Sequence, residues 1–246
     1  MDSKPVFLRA DWRTLAMLNY EVEPNLLAKF VPSGTELDQW QGKVFVSLVG
    51  FRFLKTTVCG ISFPFHRNFE EVNLRFYVRR TEGIEVRRGV VFIKEIVPRW
   101  AIAAVARRFY NEKYVSLPMR HQIQPNGESG LSVEYGWRSR ERWSRMSMAT
   151  VGIPALPGEG SEEQFITEHY WGYAAQLDGG CMEYRVAHPS WRVWNTLDAK
   201  FEGDLVELYG QDLSAALAGT PTSAFLAEGS EVTVYRGRKL QTLSSP

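Results

Sequence analysis

Between Glu70 and Arg80 the chain alternates two kinds of side chain with a period of two. In an extended strand that period sends Val72, Leu74, Phe76 and Val78 to one face and Glu71, Asn73, Arg75 and Tyr77 to the other. The first face is core. The second is either a solvated surface or the lining of a polar cavity, where a carboxylate, an amide, a guanidinium and a phenol could hold a ligand and move protons. Glu71 and Arg75 stand about 13 Å apart along one strand at roughly 3.3 Å per residue, so they cannot pair directly. Each needs a partner from another element, or a ligand. His66, in Phe63-Pro64-Phe65-His66, precedes this strand. It reads equally as an acid–base group at a cavity rim and as a turn histidine that satisfies backbone. His188, before Pro189 and Trp191, is a weaker case of the same kind, and Asn111 reads as a helix C-cap.

These side chains must be positioned by strands. Val44–Phe53, Val72–Arg79, Glu85–Val97, Leu131–Trp137, Ser139–Ala149 and Val232–Arg236 alternate or are rich in β-branched and aromatic residues. Helices are fewer. Pro24 opens a short one over residues 24–30. Ile102, Val105, Ala106 and Phe109 give helical spacing to Pro98–Asn111, and Ser161-Glu162-Glu163-Gln164 is a capping box that predicts a helix towards Tyr173. Pro154–Gly160 reads as a long loop within one domain spanning residues 1–246. Many antiparallel strands with a few short helices predict an α+β fold, with a curved or barrel-like sheet.

Composition narrows the function classes. The 246 residues carry 29 basic and 28 acidic side chains, and 21 of the basic ones are arginine. Residues 1–74 have 8 basic and 8 acidic groups, residues 75–145 have 15 and 7, and residues 146–246 have 6 and 13. The basic middle and acidic end are therefore expected to pair within one fold. The run Arg138–Arg145, with Trp143, reads as an outer strand face paired in this way rather than a nucleic-acid strip, because a near-neutral protein sustains no field for phosphate. No apolar run approaches the length of a membrane-spanning helix. The N-terminal Met1-Asp2-Ser3-Lys4-Pro5 lacks the pattern of a secretory signal, which gives a cytoplasmic expectation. His66, His121, His169 and His188 show neither H-x-H nor H-E-x-x-H spacing, and Cys59 and Cys181 form no C-x-x-C pair. No metal, no cofactor and two isolated buried thiols are the reading. The expected partner is a small-molecule ligand; a homo-oligomer stays open.

Four blocks in order, Trp12–Tyr20, Val31–Asp38, Glu71–Val78 and Tyr110–Tyr114, resemble the YqjF-like proteins, a bacterial family of unknown function. That family is similar in turn to the acetoacetate-decarboxylase-like superfamily. The resemblance implies a mainly antiparallel cone- or barrel-shaped sheet around a central cavity. It places Arg13 and Glu71 at positions of a decarboxylase pocket, puts Ser47 where a second pocket glutamate would stand, and puts Tyr114 where the Schiff-base lysine would stand. A phenol cannot condense with a ketone to form an iminium; the handiest cation, Lys113, is one residue out of register. The resemblance therefore implies a reconfigured pocket. In it Arg13, Glu71 and Tyr114 would carry any chemistry, and Asn73, Arg75, Asn111, His66 and Ser47 would line the ligand. A non-catalytic sensing or interaction protein, with Glu71 closed off by an arginine, is the alternative.

Overall fold

The computed structural model describes residues 5–98 and 113–240. Within them the chain is mostly sheet. The strands are β1 (Val6–Glu21), β2 (Glu36–Leu37), β3 (Phe45–Val58), β4 (Phe69–Glu82), β5 (Glu85–Val97), β6 (Tyr114–Ser116) and β7 (Met119–Asn126), followed by β8 (Gly130–Ser139), β9 (Arg142–Ala155), β10 (Trp171–Ala175), β11 (Cys181–Ala187), β12 (Val193–Glu202), β13 (Ser223–Tyr235) and β14 (Arg238–Leu240). The described α-helices are α1 (Pro24–Leu27), α2 (Glu162–Thr167) and α3 (Val206–Ala216). With helices this short, the α+β label fits only roughly. None of them is long and apolar enough to cross a membrane.

One curved sheet carries the order β11-β10-β5-β4-β3-β1-β13, and β11 pairs back onto β13 through Val186 with Val234 and Ala187 with Thr233. The path thus returns to its start. From β13 the sheet also continues outward as β12-β9-β8-β7. Within the returning path, the first half of β3 and most of β4 are buried on both faces. On β4, Val72, Leu74, Phe76 and Val78 pack with Tyr135 and Trp137 of β8, Met146 of β9 and Leu208 and Leu213 of α3. The opposite face of β4 turns Tyr77 into a second cluster with Phe45, Phe51, Phe53 and Phe69. Each fully buried side chain of this size contributes about 1.5–3 kcal/mol, so the strand is held from both sides.

Several local expectations shift. β3, β4, β8 and β13 all extend beyond the residues that alternate. The capping box forms, with Gln164 N–H donating to Ser161 Oγ at 3.2 Å, but the helix stops at Thr167. There Glu168 leaves helical geometry, and the aromatic stretch from Trp171 pairs with β11 instead of continuing the helix. The expected strand over residues 139–149 is split by a turn at Arg140, whose φ is +52°. Cys181 is buried as expected, whereas Cys59 is exposed. The expected helix over 98–111 lies outside the described residues, apart from Pro98.

Candidate functional site

The inner face of the returning sheet encloses a cavity of about 510 Å³. Its polar groups come first from β4, where Glu71, Asn73 and Arg75 occupy successive inward positions. All three are buried, with Glu71 only 2% and Arg75 only 7% exposed. The neighbouring β5 adds Phe92 and Glu95 to the lining, three residues apart, which strict alternation forbids. A register shift resolves this: Arg75 faces Phe92 while Asn73 faces Glu95, so the intervening residues include one extra. β6 pairs parallel to β5 with Tyr114 opposite Glu95. The bulge and the short β6 strand thereby bring Asn73, Glu95 and Tyr114 into one row beside Glu71.

Glu71 is held by two donors. Asn73 Nδ2 lies 2.9 Å from its Oε1, and the Tyr114 hydroxyl donates to its Oε2 at 3.1 Å. Burial nevertheless dominates, lifting the Glu71 carboxyl to about 7 against the pull of Asn73, Tyr114 and the more distant Arg75 charge. A carboxyl poised there can both give and take a proton near neutral pH. Arg75 makes no ion pair among the described residues. One guanidinium nitrogen donates to Ile166 O at 3.4 Å and lies 3.9 Å from Met17 Sδ, the guanidinium sits over the Tyr77 ring at 5.7 Å, and Nε has no hydrogen-bond partner. Buried arginines are ordinarily paired with a carboxylate, and this one departs from that pattern among the described residues. Asn73 Oδ1 is likewise buried without a partner.

A further group was not singled out by sequence reasoning. His169 lines the cavity with its side chain 1% exposed, and its Nε2 lies 3.3 Å from Asp38 Oδ2, which also accepts from Arg88 Nε at 2.7 Å. Burial pushes Asp38 up, but the hydrogen bonds from His169 and Arg88 outweigh it and hold the carboxyl below its ordinary range. Burial also lowers His169 to about 4, so the ring is neutral. With Nε2–H directed at Asp38, Nδ1 is left as a buried acceptor without a partner. No spacing could have revealed the pair, whose members lie 131 residues apart.

The remaining candidates are distributed as follows. His66 lines the cavity, and its ring Nδ1 lies 2.9 Å from Pro64 O, the backbone contact expected of a turn histidine. His188 lines it too, stacked on Trp191 at 4.1 Å, with burial lowering its pKa. Ser47 is buried on the same face as Arg75, but its hydroxyl is taken by Asn19 Oδ1 at 2.6 Å and Tyr77 at 2.7 Å, and it does not line the cavity. Arg13 does not line it either. Thr14 adopts φ +59° at a register shift in β1, so Trp12 and Leu15 both turn inward, and Arg13 between them donates to Gly229 O at 3.2 Å. Asn111 lies outside the described residues. Lys113 is exposed over the Phe30 ring, and no lysine among the described residues lines the cavity. Nor is any group of three or more His, Cys, Asp or Glu side chains among them arranged to hold a metal ion.

Comparison with known proteins places these features in context. Residues 9–231 match the family DUF2071, described as an uncharacterized conserved protein. The uncharacterized protein YqjF of Bacillus subtilis (strain 168) is 23% identical over 164 residues, covering 66% of this chain and 65% of that protein. Among solved structures, the enduracididine biosynthesis enzyme MppR complexed with pyruvate superposes with a TM-score of 0.70 at 15% identity, over 99% of this chain and 93% of that one. Acetoacetate decarboxylase from Legionella pneumophila superposes with a TM-score of 0.66 at 14% identity, over 100% of this chain and 92% of that one. The fold is therefore acetoacetate-decarboxylase-like.

Proposed function

The chain belongs to the DUF2071 family of uncharacterized conserved proteins, and from that premise we propose that its cavity binds an organic carboxylate, with Arg75 as the anion anchor. The observation that carries the reading is the buried guanidinium of Arg75, which lines the cavity and makes no ion pair among the described residues. Residues 1–246 act as one domain, its barrel-like wall enclosing the ligand. The named ligand of a neighbour of the same fold, pyruvate, and the activity named for another, acetoacetate decarboxylation, support a carboxylate or keto acid.

Glu71 and Tyr114 then stand beside the ligand as a proton-exchanging pair, joined by their 3.1 Å hydrogen bond. Asn73 orients Glu71 through Nδ2 and offers Oδ1 to a ligand donor. His169 offers a neutral acceptor. Such a set suits proton transfer next to a carboxylate or carbonyl and needs no Schiff base, for which no described lysine is at hand. A closed, purely internal pairing of Glu71 with an arginine is disfavoured, because no ion pair joins Glu71 to Arg75 or Arg13 among the described residues.

Thermal unfolding with a panel of carboxylates and their neutral amides tests the proposal. Carboxylates should raise Tm in the wild type and lose that effect in Arg75→Gln, while amides do little in either. Equal stabilisation of both proteins would remove Arg75 from the site.

A further inference from the structure

We infer that the ligand is an amphipathic carboxylic acid, whose carboxylate lies deep on Arg75 and whose extended apolar body runs out towards the hairpin between β3 and β4. The inference rests on the anion-site reading above and narrows its ligand class. Position along β4 carries the first step. From the hairpin inwards the strand presents Phe69, Glu71, Asn73 and then Arg75 to the cavity, so about 20 Å of strand separates the first from the last at roughly 3.3 Å per residue. The charge sits at the far end.

The region nearer the hairpin is aromatic. Phe53 stacks on Phe69 at 4.6 Å, and Trp12 meets Phe51 at 5.2 Å and Phe53 at 5.5 Å. All four line the cavity. Such a wall offers dispersion contacts and removes apolar carbon from water, and it offers little to a second charge.

Size points the same way. A volume of about 510 Å³ falls within the roughly 300–1,000 Å³ of clefts that bury drug-sized ligands. A short keto acid of about six non-hydrogen atoms anchored on Arg75 would leave most of the aromatic wall unfilled, forfeiting its contacts. The opening is apolar as well. Ile61 and Phe63, on the hairpin, both line the cavity while remaining 58% and 49% exposed. Apolar side chains that are half in water at a cavity mouth are explained by an apolar ligand that passes and then covers them. In this pose Glu71 and Tyr114 flank the carbon chain between the carboxylate and the aromatic wall.

Calorimetric titration of the full chain with pyruvate, butyrate, hexanoate and octanoate, each below its aggregation concentration, tests the inference, with 1-octanol as the neutral match. Affinity should rise by about fourfold per added methylene from butyrate to octanoate, and octanol should bind at least tenfold more weakly than octanoate. Arg75→Gln should bring octanoate down to the octanol level. Pyruvate or butyrate binding more tightly than octanoate would overturn the amphipathic ligand while leaving the anion site standing. Octanol binding as tightly as octanoate, or no binding by any acid, would overturn both.

Discussion

Arg75, Glu71 and His169 are three ionisable side chains buried at one cavity. Arg75 has been taken out of water without a carboxylate among the described residues to compensate it, which costs stability unless a ligand supplies the charge. Arg75→Met should therefore raise the stability of the unliganded protein, on the order of 1 kcal/mol, while abolishing stabilisation by carboxylates; denaturant titration with and without ligand reads both. Glu71 gives a second expectation. Its folded-state pKa of about 7 lies above its ordinary 4.5, so its contribution is fully present below pH 4.5 and is lost as pH rises through 7. Glu71→Gln should gain on the wild type across that window by up to about 3 kcal/mol, measured as the pH dependence of Tm for both proteins. His169 has the opposite sign. Its pKa is depressed from 6.5 to about 4, so its contribution is present above 6.5 and is lost as pH falls through 4; His169→Gln should gain on the wild type only on the acid side. Glu71, Asn73 and Arg75 were legible because a period of two on one strand sets their common face. Asp38 and His169 were not, since their pairing is made only by the closed fold.

At the scale of elements, bulges decide what faces the cavity. Simple alternation on β5 groups Glu95 with Val91 and Ile93 on the core side, yet the register shift turns it inward. On β1 the reverse happens, and Arg13, placed in the pocket by family resemblance, is turned away beside the Thr14 distortion. Alternation cannot announce where it will slip. Arg13→Ala should accordingly leave the stabilisation of the protein by carboxylates unchanged in thermal unfolding. Gly229, opposite Arg13 on β13, is fitted to the same distortion: its φ is +81°, and a Cβ there would stand 2.0 Å from Trp12 O. Gly229→Ala should cost about 2–4 kcal/mol by strain and overpacking, seen in chemical denaturation. The same slippage hid β1 as a strand, and the kink at Gly210, φ +80°, interrupted the helical signal of α3. β5 was read at its observed limits despite its bulge, and β4 was read as its central residues only.

Across the whole molecule the uneven charge layout resolves into pairing. Glu183, with a side chain wholly buried, is met by Arg80 at 3.2 Å, Arg87 at 3.1 Å and Arg238 at 2.8 Å. Arg140 pairs with Glu207 at 3.0 Å, and Arg145 with Glu202 at 2.5 Å, so two arginines of the basic run at the β8–β9 turn meet acidic residues of the C-terminal third. That pattern was legible from charge counts, and the predominance of antiparallel strands from side-chain alternation; a cavity was one of two readings of the Glu71–Tyr77 face, and family resemblance chose between them. Lysines follow the fold too. Because none described lines the cavity, borohydride added with acetoacetate should leave the intact mass of the protein unchanged. In the proposed pose a carboxylate sits on Arg75 with its carbon chain towards the hairpin. The most direct test of that pose is a crystal structure grown with 8-bromooctanoate, in which anomalous scattering locates the bromine. The expected result is a carboxylate within hydrogen-bond distance of the Arg75 guanidinium and a bromine peak displaced from it towards the stacked Phe53 and Phe69 rings; a carboxylate lying away from Arg75, or bromine beside it, would contradict that pose.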